Sequence, residues 1–175
     1  EDMSILKISR IGQPILLQRA KPVTNITGPQ VKKIIQDMTE TMLDANGIGL
    51  AAPQIHIGKQ IIIFRAPEEE TEKEIKITIL INPKITKISD ETENDWEGCL
   101  SIPGMLGLVK RYSKIKYEGY DVLGNIVKRE VDGMHARVVQ HEFDHLMGTL
   151  YTSRLAHKNA YGFAEEIEKY WKNKN

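Results

Sequence analysis

Apolar residues recur along this chain at two periods, 3.6 and 2, and the alternation between them separates helices from strands. Val31, Ile34, Ile35, Met38 and Met42 share one helical face, with Thr27 placed to cap the helix and Pro29 in its first turn. Asn46-Gly47 supplies a left-handed stop. Gln60 to Phe64 is a buried strand, and Ile75 to Ile81 alternates before a turn at Asn82-Pro83, so the two runs form a hairpin. Ile85 and Ile88 carry a strand on towards Trp96. Ile115 to Tyr117 and Ile126 to Lys128 are two further strands joined across Asp121 to Asn125. Helical spacing returns from about Gly133 with Ala136, Val139, Phe143, Leu146 and Leu150, and Gly148 is the stop. A last helix spans roughly Lys158 to Lys172, with Tyr161, Ala164, Ile167 and Trp171 on one side. Residues 5–25, broken by Pro14 and Pro22, read as an irregular arm without chemistry, and Glu68 to Glu74 as a solvated acidic loop. The expected fold is α+β: antiparallel β-sheets packed around the helix near residue 140, with a helix in the N-terminal half and another at the C-terminus. Residues 1–175 are expected to form a single domain.

The central helix carries the chemistry. Residues 140–148 contain His-Glu-x-x-His, with His141 and His145 four apart and Glu142 beside the first. A step of four returns to nearly the same helical face, so both imidazoles project together as half of a metal site. Glu142 can then reach a water held by the ion without ligating it. The same pattern also arises by chance in charged helices, so a third ligand decides its meaning. The sequence offers two sources. One is a glutamate of the last helix (Glu165, Glu166 or Glu168), as in one protease class; those residues also fit a solvated, salt-bridging face. The other is Cys99, in Glu97-Gly98-Cys99-Leu100-Ser101 ahead of a Pro-Gly turn, which also fits a buried structural cysteine. A third histidine six residues past His145 is excluded, because that position is Tyr151.

Composition narrows the partners. Lys plus Arg and Asp plus Glu number 24 each, so no basic excess favours DNA or an anionic membrane. No run approaches the length of a membrane span, and the first residues lack a secretion pattern, with Met3 the natural start. A lone cysteine suits a reducing cytoplasm.

Gly47-Ile48-Gly49-Leu50-Ala51-Ala52-Pro53-Gln54 permits close backbone approach but has the wrong spacing for a phosphate loop. It reads as a tight connection ending in an amide, Gln54, that can be aimed at a ligand. Taken in order, this segment, Glu97-Gly98-Cys99-Leu100-Ser101 and Gln140-His141-Glu142-Phe143-Asp144-His145 resemble the three motifs of the peptide deformylases, and the helical C-terminus is similar to one subclass of them. The resemblance implies removal of the formyl group from formyl-methionyl nascent peptides, releasing formate. It implies Cys99, His141 and His145 as ligands of one divalent metal ion, Fe(II) in this family with Zn, Ni or Co tolerated. It further implies Glu142 as general base and acid towards the attacking water, and the Gln54 amide and Leu100 N–H as oxyanion donors. Ile48, Gly49 and Val138 would surround the methionine side chain, and Glu97 would pair with Arg111 to brace the cysteine loop. Leu106 stands where some relatives place an arginine, and Arg137 where they place an apolar residue, its stem expected at the pocket mouth. Transient ribosome association through Lys158, Lys169, Lys172 and Lys174 is a further implication, diluted by the neighbouring glutamates.

Overall fold

The computed structural model describes residues 4–66 and 70–173, so Met3, Glu68, Glu69 and Lys174 lie outside the described residues. Helix α1 (Pro29–Asp44) leads to β1 (Gly49–Ala51), β2 (Ile61–Arg65) and β3 (Ile77–Lys87). Strands β4 (Thr92–Cys99), β5 (Ile102–Tyr112), β6 (Lys114–Tyr120) and β7 (Ile126–Asp132) precede helix α2 (Gly133–Leu146). Strand β8 (Tyr161–Phe163) and helix α3 (Ala164–Ile167) follow, the helix continuing as a wider π turn over Glu168–Lys172. All strand pairs are antiparallel, in one sheet of order β1-β2-β3-β6-β7 and a second of order β4-β5-β8.

Strand β2 shows why the large sheet holds two helices. Its side chains alternate in direction, so Ile61 and Ile63 face one way and Ile62 and Phe64 the other. The first pair packs with Val31, Ile34, Ile35, Met38 and Met42 of α1, and the second with Ala136, Val139 and Leu146 of α2. Both faces are dry, which explains a β2 sequence without polar alternation. The expected α+β architecture around α2 is present. Phe143 and Leu150, placed on the buried stripe by spacing, are only partly buried.

Several local expectations are corrected. The residue capping α1 is Gly28, not Thr27; Asn25 packs so closely on it that a Cβ there would lie 2.5 Å from the Asn25 amide nitrogen. Asn82-Pro83 is not a turn but a bulge inside β3, with Asn82 at φ 52° and the register against β6 shifting there. The Asn82 side-chain amide accepts from Val23 N–H (2.8 Å) and donates to Val23 O (3.0 Å), which fastens the N-terminal arm to the bulge. Strand β5 had no clear signal, because Pro103, Gly104 and Gly107 interrupt its pattern. The last helix starts at Ala164 rather than Lys158, since Tyr161 to Phe163 pair with β5. In the acidic loop, Glu70 is held by Arg65 through two hydrogen bonds of 2.6 and 2.8 Å.

Candidate active site

Helix α2 begins after β7, and its His141 and His145 rings stand 5.2 Å apart between centroids. Cys99 ends β4 where the β4–β5 register shifts between Glu97 and Cys99, a break that turns its side chain towards the helix. Its Sγ lies 3.4 Å from His145 Nε2. One donor atom from each of Cys99, His141 and His145 lies within 4.8 Å of the other two. A tetrahedral ion with ordinary metal–sulfur and metal–nitrogen bonds separates such donors by about 3.6 Å, so this donor set fits one divalent ion. Glu165, Glu166 and Glu168 stand exposed and outside this group.

Glu97 orders the ligands. His141 Nδ1 lies 2.7 Å from Glu97 Oε1; the carboxylate fixes the proton on Nδ1 and leaves Nε2 for an ion. Arg111 donates to both Glu97 oxygens at 2.9 Å and to Asp144 Oδ2 at 2.6 Å. Arg154 closes the other side of Asp144 at 2.6 and 3.0 Å. Burial alone would raise the Glu97 pKa, but the His141 and Arg111 hydrogen bonds hold it well below the usual carboxylate range. Asp144 and Arg154 carried no distinct sequence signal. Asp144 sits inside the two-histidine motif and reads there as an ordinary polar residue of a charged helix.

Arg137 departs in part from expectation. It lines the cavity as expected, but it is buried and its guanidinium donates to Glu97 Oε2 and to two backbone carbonyls. The arm, expected to be irregular and without chemistry, also holds the site together. Ser9 N–H donates to Gln54 O (2.7 Å), Ile11 N–H to Ser101 O (3.0 Å) and Ala20 N–H to Leu146 O (2.9 Å), so one segment fastens all three site-bearing stretches.

Gln54 is oriented by its own loop. Its Oε1 accepts from Ala51 N–H at 2.9 Å, so Nε2 faces Ser101 Oγ (3.1 Å) and Cys99 Sγ (3.6 Å) as a donor. Glu142 Oε1 lies 3.9 Å from His141 Nε2, and Oε2 has no hydrogen-bond partner among the described residues. Burial raises the Glu142 pKa to about 7, against the opposing pull of His141. A cavity of about 550 Å³ opens on this group and is lined by Ile48, Gly49, Leu100, Val138, Leu106 and Glu142 among others. The structure therefore brings together the site residues that the resemblance implied, Ile48, Gly49, Gln54, Cys99, Leu100, Val138, His141, Glu142 and His145, and leaves the alternative ligands Glu165, Glu166 and Glu168 outside.

Residues 5–161 match the family model described as polypeptide deformylase. The chain belongs to the polypeptide deformylase family. It is 47% identical over 163 residues to peptide deformylase 1 of Bordetella pertussis, covering 91% of this chain and 93% of that protein. It superimposes with a TM-score of 0.81 on the peptide deformylase of Thermotoga maritima, at 38% identity over 90% of this chain and 100% of that one. It also superimposes on a Met-Ala-Ser-bound class I type b peptide deformylase of Acinetobacter baumannii (TM-score 0.80, 33% identity, 88% and 100% coverage). Peptide deformylases are metallohydrolases that remove the N-formyl group from nascent peptides, and the Cys99–His141–His145 group is this chain's candidate metal site. Among the described residues no helix is long and apolar enough to cross a membrane.

Proposed function

We propose that residues 1–175 act as one deformylase domain in which Cys99, His141 and His145 hold a single divalent ion, Fe(II) on family grounds with Zn, Ni or Co as substitutes. When bound, such an ion supplies Lewis acidity, lowering the pKa of water from ~16 towards ~7 and polarising a carbonyl oxygen. The supporting observation is the Cys99 Sγ–His145 Nε2 approach of 3.4 Å beside a Glu142 carboxylate oxygen that has no hydrogen-bond partner among the described residues.

Glu142 takes the proton of the attacking water and returns it to the leaving amine; its raised pKa suits both directions near neutrality. Gln54 Nε2 and the Leu100 N–H stabilise the oxyanion, each such donor contributing about 3 kcal/mol. Locking Gln54 Oε1 onto Ala51 N–H means that no amide rotation is needed before the donor acts. Ile48, Gly49 and Val138 form the apolar wall for the methionine side chain. The Acinetobacter enzyme holding Met-Ala-Ser supports a peptide lying with its N-terminal methionine in the corresponding cavity. The substrates are formyl-methionyl nascent peptides, met in the cytoplasm and through transient contact with the ribosome.

The test is Glu142→Gln. It should keep its metal and lose nearly all formate release from a formyl-Met tripeptide; turnover at the wild-type rate would reject Glu142 as the proton carrier.

A further inference from the structure

Arg137 and His141 are four residues apart on α2, so both side chains leave the same face of the helix. Both meet Glu97. His141 Nδ1 is 2.7 Å from Oε1, and Arg137 Nη1 donates to Oε2 at 2.7 Å. Arg137 then reaches beyond the carboxylate. Its Nη1 also donates to Val109 O at 2.9 Å and its Nη2 to Glu93 O at 2.9 Å. These acceptors belong to β4 and β5, and β4 ends at Cys99.

The three ligand atoms come from two bodies, the second sheet and α2, so their separation depends on what joins the two. Arg111 makes one joint. It lies on β5, and its contact with Glu97 stays inside the second sheet; only its bond to Asp144 reaches α2, beyond His141. Gln140 makes another, its side-chain amide accepting from Tyr112 N–H at 3.0 Å and donating to Tyr112 O at 2.9 Å. Arg137 adds a third, one helical turn before His141, and it ties α2 to the same Glu97 carboxylate that faces His141.

We propose that Arg137 is a positioning residue of the metal centre: its guanidinium fixes the Glu97 carboxylate that orients His141, and locks α2 to β4 and β5 at the spacing where Cys99 meets the two histidines. A guanidinium suits this work because its planar fork serves several acceptors at once and stays charged when buried. The donors are directed at Glu97 and the strand backbone, so Arg137 borders the cavity without offering these bonds to substrate.

The inference rests on the Cys-His-His reading of the site, and the experiment separates the two. Full-length wild type, Cys99→Ser, Arg137→Met and Arg137→Lys are loaded anaerobically with Co(II), and loss of Co(II) to a chelator is timed. The thiolate-to-Co(II) absorption band, the melting temperature, kcat and KM are recorded alongside. Cys99→Ser should lose the band and tight Co(II) binding; if it keeps both, the site reading fails whatever Arg137 does. Arg137→Met should release Co(II) about 10–100-fold faster, the range for residues that support metal ligands, with kcat reduced and KM within about twofold. Arg137→Lys, which reaches one acceptor but not three, should fall between. Release at the wild-type rate with an unchanged band overturns the proposal even if the melting temperature drops, and so does a raised KM with unchanged kcat. If Arg137→Met does not fold, Arg137→Lys is read by the same criteria.

Discussion

Gly49 leaves the space that Glu142 occupies: a Cβ on Gly49 would lie 2.7 Å from Glu142 Oε1 and 2.8 Å from its Cγ and Cδ. The strand proposed to line the methionine wall and the carboxylate proposed to move the proton are thus packed with no room between them. Gly49 has an ordinary backbone, so its lack of a side chain matters for the neighbour and not for its own conformation. Gly49→Ala should push Glu142 off its position and lower kcat about 100-fold, the lower end of what a positioned acid–base group contributes. Steady-state formate release checks this, with metal content expected unchanged.

Gly148 presents the opposite case. It sits at φ 74°, and a Cβ there would lie 2.6 Å from Leu17 O of the arm. Gly148→Ala therefore combines an unfavourable backbone with a clash against main chain. A loss of about 2 kcal/mol in stability is expected. Urea denaturation of the metal-free protein measures it.

Glu97 gives a pH dependence with a definite sign. Its folded pKa is depressed below the ordinary 4.5, so its contribution is fully present above that value and fades as pH falls towards the folded pKa. In the presence of chelator, Glu97→Gln should be less stable than wild type at pH 7, and the gap should narrow below about pH 4.5. Equal gaps at pH 7 and pH 3 would show that Glu97 is not held ionised by its partners.

Trp96 lines the cavity and meets Trp171 edge-on, with ring centroids 5.9 Å apart; Trp171 also lies 5.6 Å from the His157 ring. The C-terminal segment therefore supports one side of the cavity proposed to take the substrate. Trp171→Ala should raise KM for formyl-Met peptides about threefold with kcat little changed, in keeping with the ~0.5–1.5 kcal/mol of an aromatic pair. Removing all of residues 158–175 is a poorer probe of ribosome contact, because it also takes away β8 and Ala164, a cavity residue.

The site was legible in the sequence where chemistry demands specific residue types at short spacing. His141, Glu142 and His145 sit on one helix, and Cys99 and Gln54 each lie in a short glycine-bearing stretch. What was not legible acts across long separations. Arg111 reaches Asp144 over 33 positions and Arg137 reaches Glu97 over 40, and an arginine in a helix or strand pattern reads the same whether solvated or buried. The fold followed the same division. Helix α2 and the β6–β7 hairpin have uninterrupted periodicity, whereas β5 is broken by Pro and Gly, and the β3 bulge imitates a turn because Asn-Pro serves both. The arm concealed its role because the bonds that fasten Gln54, Ser101 and Leu146 use the backbone N–H groups of Ser9, Ile11 and Ala20, which leave no trace in side-chain identity.

The central claim is that a Cys-His-His site hydrolyses a terminal formyl group. The most direct measurement is anaerobic loading with Fe(II), determination of metal per chain, and quantification of formate and free amine from a formyl-Met tripeptide. One metal ion per chain, lost in Cys99→Ser but kept in Glu165→Gln, is expected, with formate and methionyl peptide appearing in equal amounts. Metal retained by Cys99→Ser and lost by Glu165→Gln, or a loaded enzyme that cuts internal peptide bonds and releases no formate, would contradict it.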